Sequence, residues 1–426
     1  MKLPFSKIKG TKDKYGNEAD FFLKLYDLLF KFSVSHGFKY VETPLLENEK
    51  VFTTSLGQTS DVVEKEMFYL KGSEKKEKIV LRPENTAPIV RLYFEEGLHT
   101  EPQPLLFFYL GKMYRKENPQ RGRLREFTQW GVEIINTESP FADFYAIYVG
   151  YKFLKEILNF TNLKVKINSL GCEKCRPKYK TKLISYYSRY KNKICYDCQR
   201  RLKVNPLRLL DCKNVICQPY KKNAPFILDS LCKFCNLHFQ ETLSYLEKTN
   251  TFYELDKTLV RGFDYYERTV FEYYLEDDNL ALGGGGRYDL GKAWGQNSLP
   301  SVGFALGLER LKIVLEEKGI NLFYSEKPDI FVAYVGEELK MKAFEILENL
   351  RKEGFNVSFN FFKQALSQQL EYANKIGVKY VIIVGFEEMS KNAVILKDFE
   401  EGTQETIFIS KLSEELKKRL NQIKNV

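Results

Sequence analysis

Eight cysteines in a chain of 426 residues all lie between Cys172 and Cys235, and this clustering limits how that part of the chain can fold. In a reducing compartment it favours bound metal over disulfides. The pairs Cys172-x₂-Cys175 and Cys195-x₂-Cys198 are separated by 19 residues, a spacing typical of one four-cysteine zinc site. A second, more loosely spaced set predicts a second site, and its members are Cys212, Cys217, Cys232 and Cys235.

The segment 170–236 is predicted to be a separate, metal-supported insertion, because it lacks the long apolar runs that would build a core. From 172 to 222 it holds 15 Lys or Arg against three acidic residues. Tyrosines interleave with these charges, as expected of a surface that meets RNA; they are Tyr179, Tyr186, Tyr187, Tyr190 and Tyr196. We expect one or two structural zinc ions, with His238 as a spare ligand. Unliganded thiols, or disulfides in a thermophile's cytosol, are the alternatives.

The length and composition of the chain are those of a folded protein that is large enough for two or three domains. Its residues are 44% hydrophobic and 29% charged. A net charge of +10 makes polyanions plausible partners. The start, MKLPFSKIKG, has no apolar h-region, and runs such as YVIIVGF at 380–386 are too short to span a bilayer. We therefore expect a cytoplasmic protein that makes no membrane contact.

Strand-like segments mostly follow one another without intervening helices, which favours an antiparallel sheet over a doubly wound one. The predicted strands are 38–46, 78–83, 104–115, 127–136, 164–168, 265–275 and 280–284. Helical patterns cover 17–36, 86–96 and 140–158, and SVGFALGLERLKIVLEEKG runs from a strand into a helix that stops at Gly319. These elements predict a discontinuous α+β domain from residues 1–169 and 237–320.

Beyond a linker near 320–328, strands and helices alternate, which predicts a separate α/β domain over residues 321–426. The predicted strands are DIFVAYVG, NVSFNF, KYVIIVGF, 393–398 and 405–409. The predicted helices are 337–353, 364–376 and a Lys/Glu-rich helix at the end of the chain.

The stretch GKMYRKENPQRGRLREFTQWGVEII, residues 111–135, holds two apolar, aromatic-rich runs around a basic hairpin loop. Between Lys112 and Arg125 there are six Lys or Arg and one acidic residue, Glu117. A solvated turn needs polarity but not this concentration of arginine, so the loop points to an anionic partner.

Other candidate site residues have an ordinary structural interpretation when each is taken alone. Arg115, Arg261 and Arg310 suit a polyphosphate, but single arginines are more often surface or salt-bridge residues. Glu84 and Glu133 at strand ends could be caps, and the pair Tyr265 and Tyr266 could be strand aromatics. No Walker-type loop or G-x-G-x-x-G fingerprint is present, and the three histidines are too scattered for a histidine metal site.

Taken together, these residues resemble the class II aminoacyl-tRNA synthetases, and in detail the histidyl-tRNA synthetase family. ETPLLENEKVFTTSLGQTSDVVEKEMFYL (42–70) resembles motif 1, with Pro44 as its proline, and LRPENTAPIVR (81–91) the amino-acid loop. YRKENPQRGRLREFTQWGVEI is similar to motif 2, LVRGFDYYERTVFE (259–272) to the histidine signature and VGFALGLERL (302–311) to motif 3. Asn85 stands where the family usually has glycine, and RYDLGKAWG departs from the usual RYDGL run.

The resemblance implies activation of L-histidine by ATP, with Mg²⁺, to histidyl-adenylate, and transfer to the 3′ end of tRNA(His). By resemblance, Arg115 and Arg261 stabilise charge at the α-phosphate, and Arg310 binds the tail of ATP. Glu133 would accept the imidazole N–H and Tyr265 or Tyr266 would serve the other ring nitrogen. Further histidine contacts are implied for Glu84, Thr86, Arg115, Gln129, Arg261 and Tyr288, and tRNA contacts for Gln120, Arg121 and Arg123.

The resemblance also implies that the C-terminal domain binds the anticodon and that the enzyme is a homodimer formed through the motif 1 region. The basic insertion is expected to contact the acceptor arm of the tRNA. Two other functions stay open. One is a paralogue that has lost aminoacylation and regulates histidine biosynthesis, and the other is a zinc-dependent RNA-binding protein on an inactive synthetase scaffold.

Overall fold

Two units, Met1–Phe323 and Tyr324–Val426, make up the computed structural model of the chain. It describes residues 4–57, 60, 62–72, 77–276, 278, 281–320, 327–361 and 365–423, with side chains up to residue 420. Most of the predicted linker near 320–328 lies outside the described residues, as do Gln58, Thr59 and Asp61 of the segment 42–70, Leu280 and Gln364.

The first unit is built on an eight-stranded sheet and a small three-stranded sheet. Its strands are β1 (Lys39–Tyr40), β2 (Leu46–Asn48), β3 (Phe68–Tyr69), β4 (Ile79–Leu81), β5 (Leu105–Tyr114), β6 (Glu126–Ile135), β7 (Leu163–Ser169), β8 (Tyr253–Leu255), β9 (Tyr266–Leu275), β10 (Gly283–Asp289) and β11 (Pro300–Gly307). The large sheet has the order β1-β5-β6-β11-β10-β9-β7-β8, and the small one β2-β4-β3.

The predicted antiparallel architecture is confirmed for the six central strands of the large sheet. At its two edges, β1 pairs with β5 and β8 pairs with β7 in parallel. The predicted strand 38–46 is wrong in extent, because it divides into β1 and β2. Pro44 has no N–H for a ladder, and the Thr43 carbonyl accepts a hydrogen bond from the Arg82 guanidinium at 2.6 Å.

Alternation along β6 gives the large sheet two different faces, since successive side chains of a strand point to opposite sides. Trp130, Val132 and Ile134 join the main apolar core, and the Trp130 indole N–H donates to the Ser33 hydroxyl at 3.0 Å. Gln129 and Glu133 lie on the opposite side, where they line a cavity.

Helices cover the apolar face of the sheet. The helices of the first unit are α1 (Asn17–Ser35), α2 (Glu49–Thr53), α3 (Thr86–Glu95), α4 (Pro140–Lys152), α5 (Arg176–Ser188), α6 (Tyr196–Val204), α7 (Gln218–Lys222), α8 (Lys233–Lys248), α9 (Leu290–Ala293) and α10 (Leu308–Glu317). Side chains of α1, α4, α8 and α10 form one core with the sheet. The predicted helix 140–158 is α4 followed by a π-helical turn, Phe153–Ile157.

The cysteine-rich segment between β7 and α8 is helical, and its Tyr179, Leu183, Tyr187 and Leu209 belong to an apolar cluster that also contains Leu259, Val260, Tyr266 and Val270. The interpretation that metal replaces a missing core is therefore wrong as stated. Its core comes from scattered tyrosine and leucine side chains, and not from a continuous apolar run.

The second unit alternates as predicted. Its strands are β12 (Ile330–Tyr334), β13 (Val357–Phe359), β14 (Tyr380–Val384), β15 (Ala393–Asp398) and β16 (Gln404–Phe408), and its helices are α11 (Lys340–Lys352), α12 (Leu366–Ile376), α13 (Phe386–Ser390) and α14 (Ile409–Ile423). The sheet order is β13-β12-β14-β15-β16, with parallel pairs around β12 and antiparallel pairs after β14. Among the described residues of the whole chain, helices long and apolar enough to cross a bilayer are absent.

Candidate active site

A cavity of about 760 Å³ lies over the polar face of the large sheet. It brings together residues that are far apart in sequence, because β5, β6, β9, β10 and β11 are neighbours in the sheet. The predicted histidine-binding and catalytic residues line it: Glu84, Thr86, Arg115, Gln129, Glu133, Arg261, Tyr265, Tyr266, Tyr288 and Arg310.

Glu133 lies at the bottom of this cavity and is 1% exposed. Its side chain has room because the residue opposite it on β11 is Gly303, where a Cβ would collide with the carboxylate. The Thr86 hydroxyl donates to one carboxylate oxygen at 2.7 Å and the Tyr288 hydroxyl donates to the other at 2.6 Å. Burial raises the pKa of Glu133 to about 8, although these two hydrogen bonds favour the ionised form.

Glu84 is a second buried carboxylate in the same cavity and is held at the start of α3. It accepts hydrogen bonds from the backbone N–H groups of Thr86 at 2.7 Å and Ala87 at 3.1 Å. Burial also raises the pKa of Glu84 above its ordinary value. In the described parts of the chain, no ion pair involves either carboxylate. The charge of Arg115 favours the ionised form of Glu84, but burial outweighs it. Two buried acids that lack an ion-pair partner suit a ligand that brings positive charge or N–H donors.

Three arginines stand around the cavity. Arg115 follows β5, donates to the Pro83 carbonyl at 3.0 Å and lies against the Phe127 and Phe263 rings, at 5.2 and 5.7 Å from their centroids. Arg261 is ion-paired with Glu272 and lies over the Tyr266 ring. Arg310, near the start of α10, donates to the Ala281 carbonyl.

Arg115, Arg261 and Arg310, here called the arginine wall, carry positive charge that suits them to bind an anion. Burial, and then the neighbouring charges of Arg123 and Arg115, lower the pKa of Arg310 to about 10. A polyphosphate would relieve that repulsion. Among the described residues, buried polar atoms without a hydrogen-bond partner include Gln129 Oε1, Arg261 Nε and Arg310 Nε. All three residues line the cavity, so a bound ligand could satisfy these atoms.

The predicted tRNA-contacting residues of the hairpin loop between β5 and β6 lie in two places: Arg123 at the cavity, and Gln120 and Arg121 on the exposed part of the loop. The loop turns at Gly122, whose φ of 68° is a left-handed conformation that favours glycine. Arg123 lines the cavity and pairs with Glu117 at 3.4 Å. Arg121 pairs with Glu317 and with Asp278, the latter at 3.3 Å, and its side chain is half-exposed, while Gln120 is exposed.

Some cavity residues were not predicted from the sequence. Tyr109 on β5 is buried and packs where a side chain at Gly131 would otherwise lie. The alternation of β5 could have indicated that it shares a face with the site. Asn85, which the resemblance marked as a departure, accepts hydrogen bonds from the Thr43 hydroxyl at 2.6 Å and from Arg82 at 3.1 Å. The departure therefore adds polar contacts beside the cavity.

The eight cysteines form two groups of four sulfurs, but the predicted pairing is wrong. One group, here the inner cluster, is Cys172, Cys175, Cys232 and Cys235. The other, here the outer cluster, is Cys195, Cys198, Cys212 and Cys217. The inner cluster joins the two ends of the insertion, after β7 and at α8, whereas the outer cluster closes within it. Within each group all four sulfurs lie within 4.8 Å of one another.

The prediction of His238 as a spare ligand is also wrong. This side chain is buried and its Nε2 is engaged by Asp143, which in turn is ion-paired with Arg287 at 2.7 Å. The two Cys clusters in the described part of the chain do not include it.

Most tyrosines of the insertion do not form the predicted RNA-stacking surface. Tyr179 and Tyr187 are 0% and 1% exposed and belong to the core of the insertion, and Tyr186 and Tyr190 pack partly buried against each other. Tyr196, at 81% exposed, fits the prediction. Tyrosine is amphipathic, so spacing among lysines does not reveal which way its ring points.

Comparisons with known proteins agree with this geometry. The family model described as Histidyl-tRNA synthetase matches residues 10–172 and 227–311, and the Anticodon binding domain model matches residues 329–419. The first match thus omits most of the insertion.

Individual relatives match over nearly the whole chain. A histidine–tRNA ligase of Thermosipho melanesiensis is 42% identical over 403 residues, covering 94% of this chain and 95% of the relative. A histidine–tRNA ligase of Thermotoga maritima is 40% identical over 405 residues, covering 94% and 96%. The crystal structure of apo S. aureus histidyl-tRNA synthetase superposes with a TM-score of 0.81 at 29% identity, covering 96% of this chain and 99% of that one.

Proposed function

Because the chain belongs to the histidyl-tRNA synthetase family, we infer that it is a histidine–tRNA ligase, which activates L-histidine with ATP and transfers the histidyl group to the 3′ end of tRNA(His). The single observation that carries this proposal is the cavity itself. Two buried carboxylates and three arginines line the same cavity, and this combination suits an amino acid with an ammonium group and an N–H donor next to a polyphosphate.

Histidine binding is proposed to use the buried carboxylates. Glu133, fixed by Thr86 and Tyr288, would accept the imidazole N–H, and a hydroxyl of Tyr265 or Tyr266 would serve the other ring nitrogen. The α-ammonium group would lie near the remaining polar residues, which are Glu84, Thr86 and Gln129. A site of buried hydrogen-bonding groups rejects analogues that leave those groups unpaired, which supports selectivity for imidazole.

Adenylate formation is proposed to run along the arginine wall. A histidine carboxylate oxygen attacks the α-phosphorus of ATP, an O–P bond forms, and the bond to the departing pyrophosphate breaks. Arg115 and Arg261 would stabilise the negative charge that develops at the α-phosphate and orient the histidine carboxylate. Arg310 would bind the tail of ATP, which enters as its Mg²⁺ complex. The 3′-terminal ribose hydroxyl of the tRNA would then attack the histidyl carbonyl and release AMP.

tRNA contacts are proposed for three regions. The hairpin residues Gln120, Arg121 and Arg123 would meet the acceptor end, and the basic insertion 170–236 the acceptor arm. The domain 321–426 would bind the anticodon, which the match to an anticodon-binding model supports. The catalytic domain is proposed to consist of residues 1–169 and 237–320.

Homodimer formation is proposed through the motif 1 region. Exposed apolar side chains there support an interface; they include Leu45, Leu46, Tyr69 and Leu70. A cytoplasmic location is proposed from the family and from the cysteine content. The insertion is proposed to hold structural zinc at its two cysteine clusters.

The experiment that tests this proposal is aminoacylation. The purified chain should attach labelled histidine to a tRNA(His) transcript in an ATP-dependent reaction, and a transcript with another anticodon and acceptor end serves as the control. The regulatory paralogue and the inactive RNA-binding scaffold both predict no charging of either transcript. Absence of charging, with a folded protein and intact transcript, would overturn the proposal.

A further inference from the structure

The two cysteine clusters have the geometry of tetrahedral metal sites. In the inner cluster the Cys172 sulfur lies 3.7 Å from that of Cys175 and 3.9 Å from that of Cys232. In the outer cluster the Cys195 and Cys212 sulfurs are 3.8 Å apart. A tetrahedral zinc ion with Zn–S bonds of about 2.3 Å holds its sulfurs about 3.8 Å apart. A disulfide would need about 2.05 Å.

Backbone amides already point at the sulfurs. The N–H of Cys232 donates to the Cys175 sulfur at 3.1 Å, and the N–H of Cys195 donates to the Cys217 sulfur at 3.3 Å. The N–H of Asn214 donates to the Cys212 sulfur at 3.4 Å. Such contacts stabilise thiolate ligands and fix their orientation. Four soft thiolates in a tetrahedral arrangement select zinc over harder divalent cations.

An arginine beside the outer cluster holds the loop of residues 261–266, here the signature loop. Arg208 lies in the 3₁₀ segment that ends one residue before Cys212 and is 5% exposed. Its guanidinium donates to the Arg261 carbonyl at 3.2 Å. From the same segment's start, the Asn205 side chain donates to Asp264 at 2.9 Å. The outer cluster therefore supports the beginning and middle of the signature loop.

A second arginine, beside the inner cluster, holds the other end of that loop. Arg176 follows Cys175 directly and opens α5. Its guanidinium donates to the Tyr266 carbonyl, at the point where the signature loop enters β9. Each end of the loop is thus held by an arginine close in sequence to a cysteine of one cluster: Arg176 directly follows Cys175, and Arg208 lies four residues before Cys212.

We propose that zinc at both cysteine clusters positions the signature loop, so that the metal ions set the geometry of histidine activation and do not only support tRNA contact. This inference rests on the proposed function, because the signature loop carries Arg261 and Tyr265. Arg176 and Arg208 act as positioning residues through the backbone carbonyls of the loop, to which both donate, and Arg208 also lines the cavity. Loss of either metal ion would release one end of the loop and misplace Arg261 or Tyr265.

Metal analysis tests the two sites and their ligand sets. The native chain, purified with reduced thiols and without added zinc, should carry about two equivalents of zinc. The double variant Cys195→Ser/Cys212→Ser removes two ligands of the outer cluster alone and should retain about one equivalent. If the first four cysteines of the sequence formed one site and the last four the other, Cys195 and Cys212 would belong to different sites. The same variant would then lose nearly all its zinc. That result, or a native chain without zinc, would overturn the proposal.

Amino-acid activation without tRNA tests the positioning role. Arg208→Met removes the donor to the signature loop and keeps the side chain's bulk, so it should retain both zinc ions. Its kcat/KM for histidine in ATP–pyrophosphate exchange should fall by at least about tenfold, as small misplacements of a reacting group do, while its KM for ATP stays within about threefold of the native value. Lys191→Met replaces an exposed basic side chain of the insertion by the same apolar residue; it is the control and should leave both constants unchanged.

The outcomes separate this inference from the proposed function. Native exchange with histidine, together with an Arg208→Met variant as active as the control, would overturn the positioning role and leave the ligase assignment standing. No exchange by the native chain would overturn the ligase assignment, whereas zinc content would still decide the ligand sets. If the double cysteine variant does not fold, zinc titration of the metal-stripped native chain gives the stoichiometry, and Arg208→Met still decides the positioning role.

Discussion

Replacing Glu133 by glutamine should weaken histidine binding and make the fold less sensitive to pH. The Thr86 and Tyr288 hydroxyls donate to different oxygens of the carboxylate, and glutamine keeps only one oxygen that can accept a hydrogen bond. Glutamine also cannot ionise, whereas Glu133 can become the charged acceptor of the imidazole N–H when histidine binds. A hydrogen bond to a charged group contributes about 1.5–3 kcal/mol, so the KM for histidine should rise by roughly 10–100-fold. The KM for ATP should change by less than about threefold, because Glu133 does not contact the arginine wall.

The same replacement should increase the stability of the folded chain near neutral pH, although it weakens histidine binding. An unfolded glutamate ionises near pH 4.3, whereas burial raises the pKa of Glu133 to about 8. The folded state therefore keeps a proton that the unfolded state has released, and stability falls as the pH rises through this window. At pH 7 the effect on the free energy of unfolding is roughly 3 kcal/mol. Glutamine does not titrate, so the variant should gain relative to the native chain as the pH increases from about 5 to 8.

Two assays check this pair of effects. Steady-state exchange gives the two KM values, and thermal unfolding from about pH 5 to 8 gives the difference in stability between variant and native chain. Glu126→Gln is a matched control, because Glu126 lies on the same hairpin and pairs with Lys112 outside the cavity lining. Equal increases in both KM values, or a stability difference that does not grow with pH, would refute the role and burial given to Glu133.

The remaining predictions concern catalysis and tRNA. Arg261→Ala should reduce adenylate formation by about 10²–10³ while the chain stays folded, and near-native single-turnover activation would contradict its role at the α-phosphate. A chain ended near residue 326 should still form adenylate but charge tRNA poorly, and full charging would remove the anticodon role from residues 328–426. Neutralising the basic insertion residues should lower tRNA affinity and flatten its salt dependence, and unchanged binding would exclude this surface; the residues are Lys178, Lys180, Lys182 and Arg189.

Strands with a clear apolar and aromatic composition on both sides of a recognisable turn could be predicted closely from the sequence. The strands predicted at 104–115 and 127–136 are Leu105–Tyr114 and Glu126–Ile135, because both segments are rich in aromatic and branched residues and flank the loop with Pro119 and Gly122. The strand predicted at 38–46 failed at Pro44, where a tertiary contact from Arg82 to the Thr43 carbonyl replaces ladder pairing.

The residues expected to contact the substrates could be predicted, but the residues that hold those side chains in place could not. Taken singly, Glu84, Glu133 and the arginines had ordinary structural interpretations, and only their combined resemblance to a family assigned them to one site. The hydroxyls that hold Glu133 come from α3 and β10, and nothing in local spacing connects them to β6.

Cysteine spacing predicted metal ligands but not which cysteines share an ion. Spacing favours neighbours in sequence, whereas the path of the chain brings Cys172 and Cys175 back to Cys232 and Cys235 where the insertion begins and ends. The same limit applies to Tyr179 and Tyr187, which are buried in the insertion despite the lysines around them.

The most direct test of the central claim is ATP–pyrophosphate exchange by the purified chain with each of the twenty amino acids in turn. The cavity, which is lined by two buried carboxylates and three arginines, predicts exchange with histidine and none above background with the other nineteen. Exchange with a different amino acid would contradict the roles given to Glu133 and the signature loop. No exchange with any of them would contradict the enzyme assignment itself.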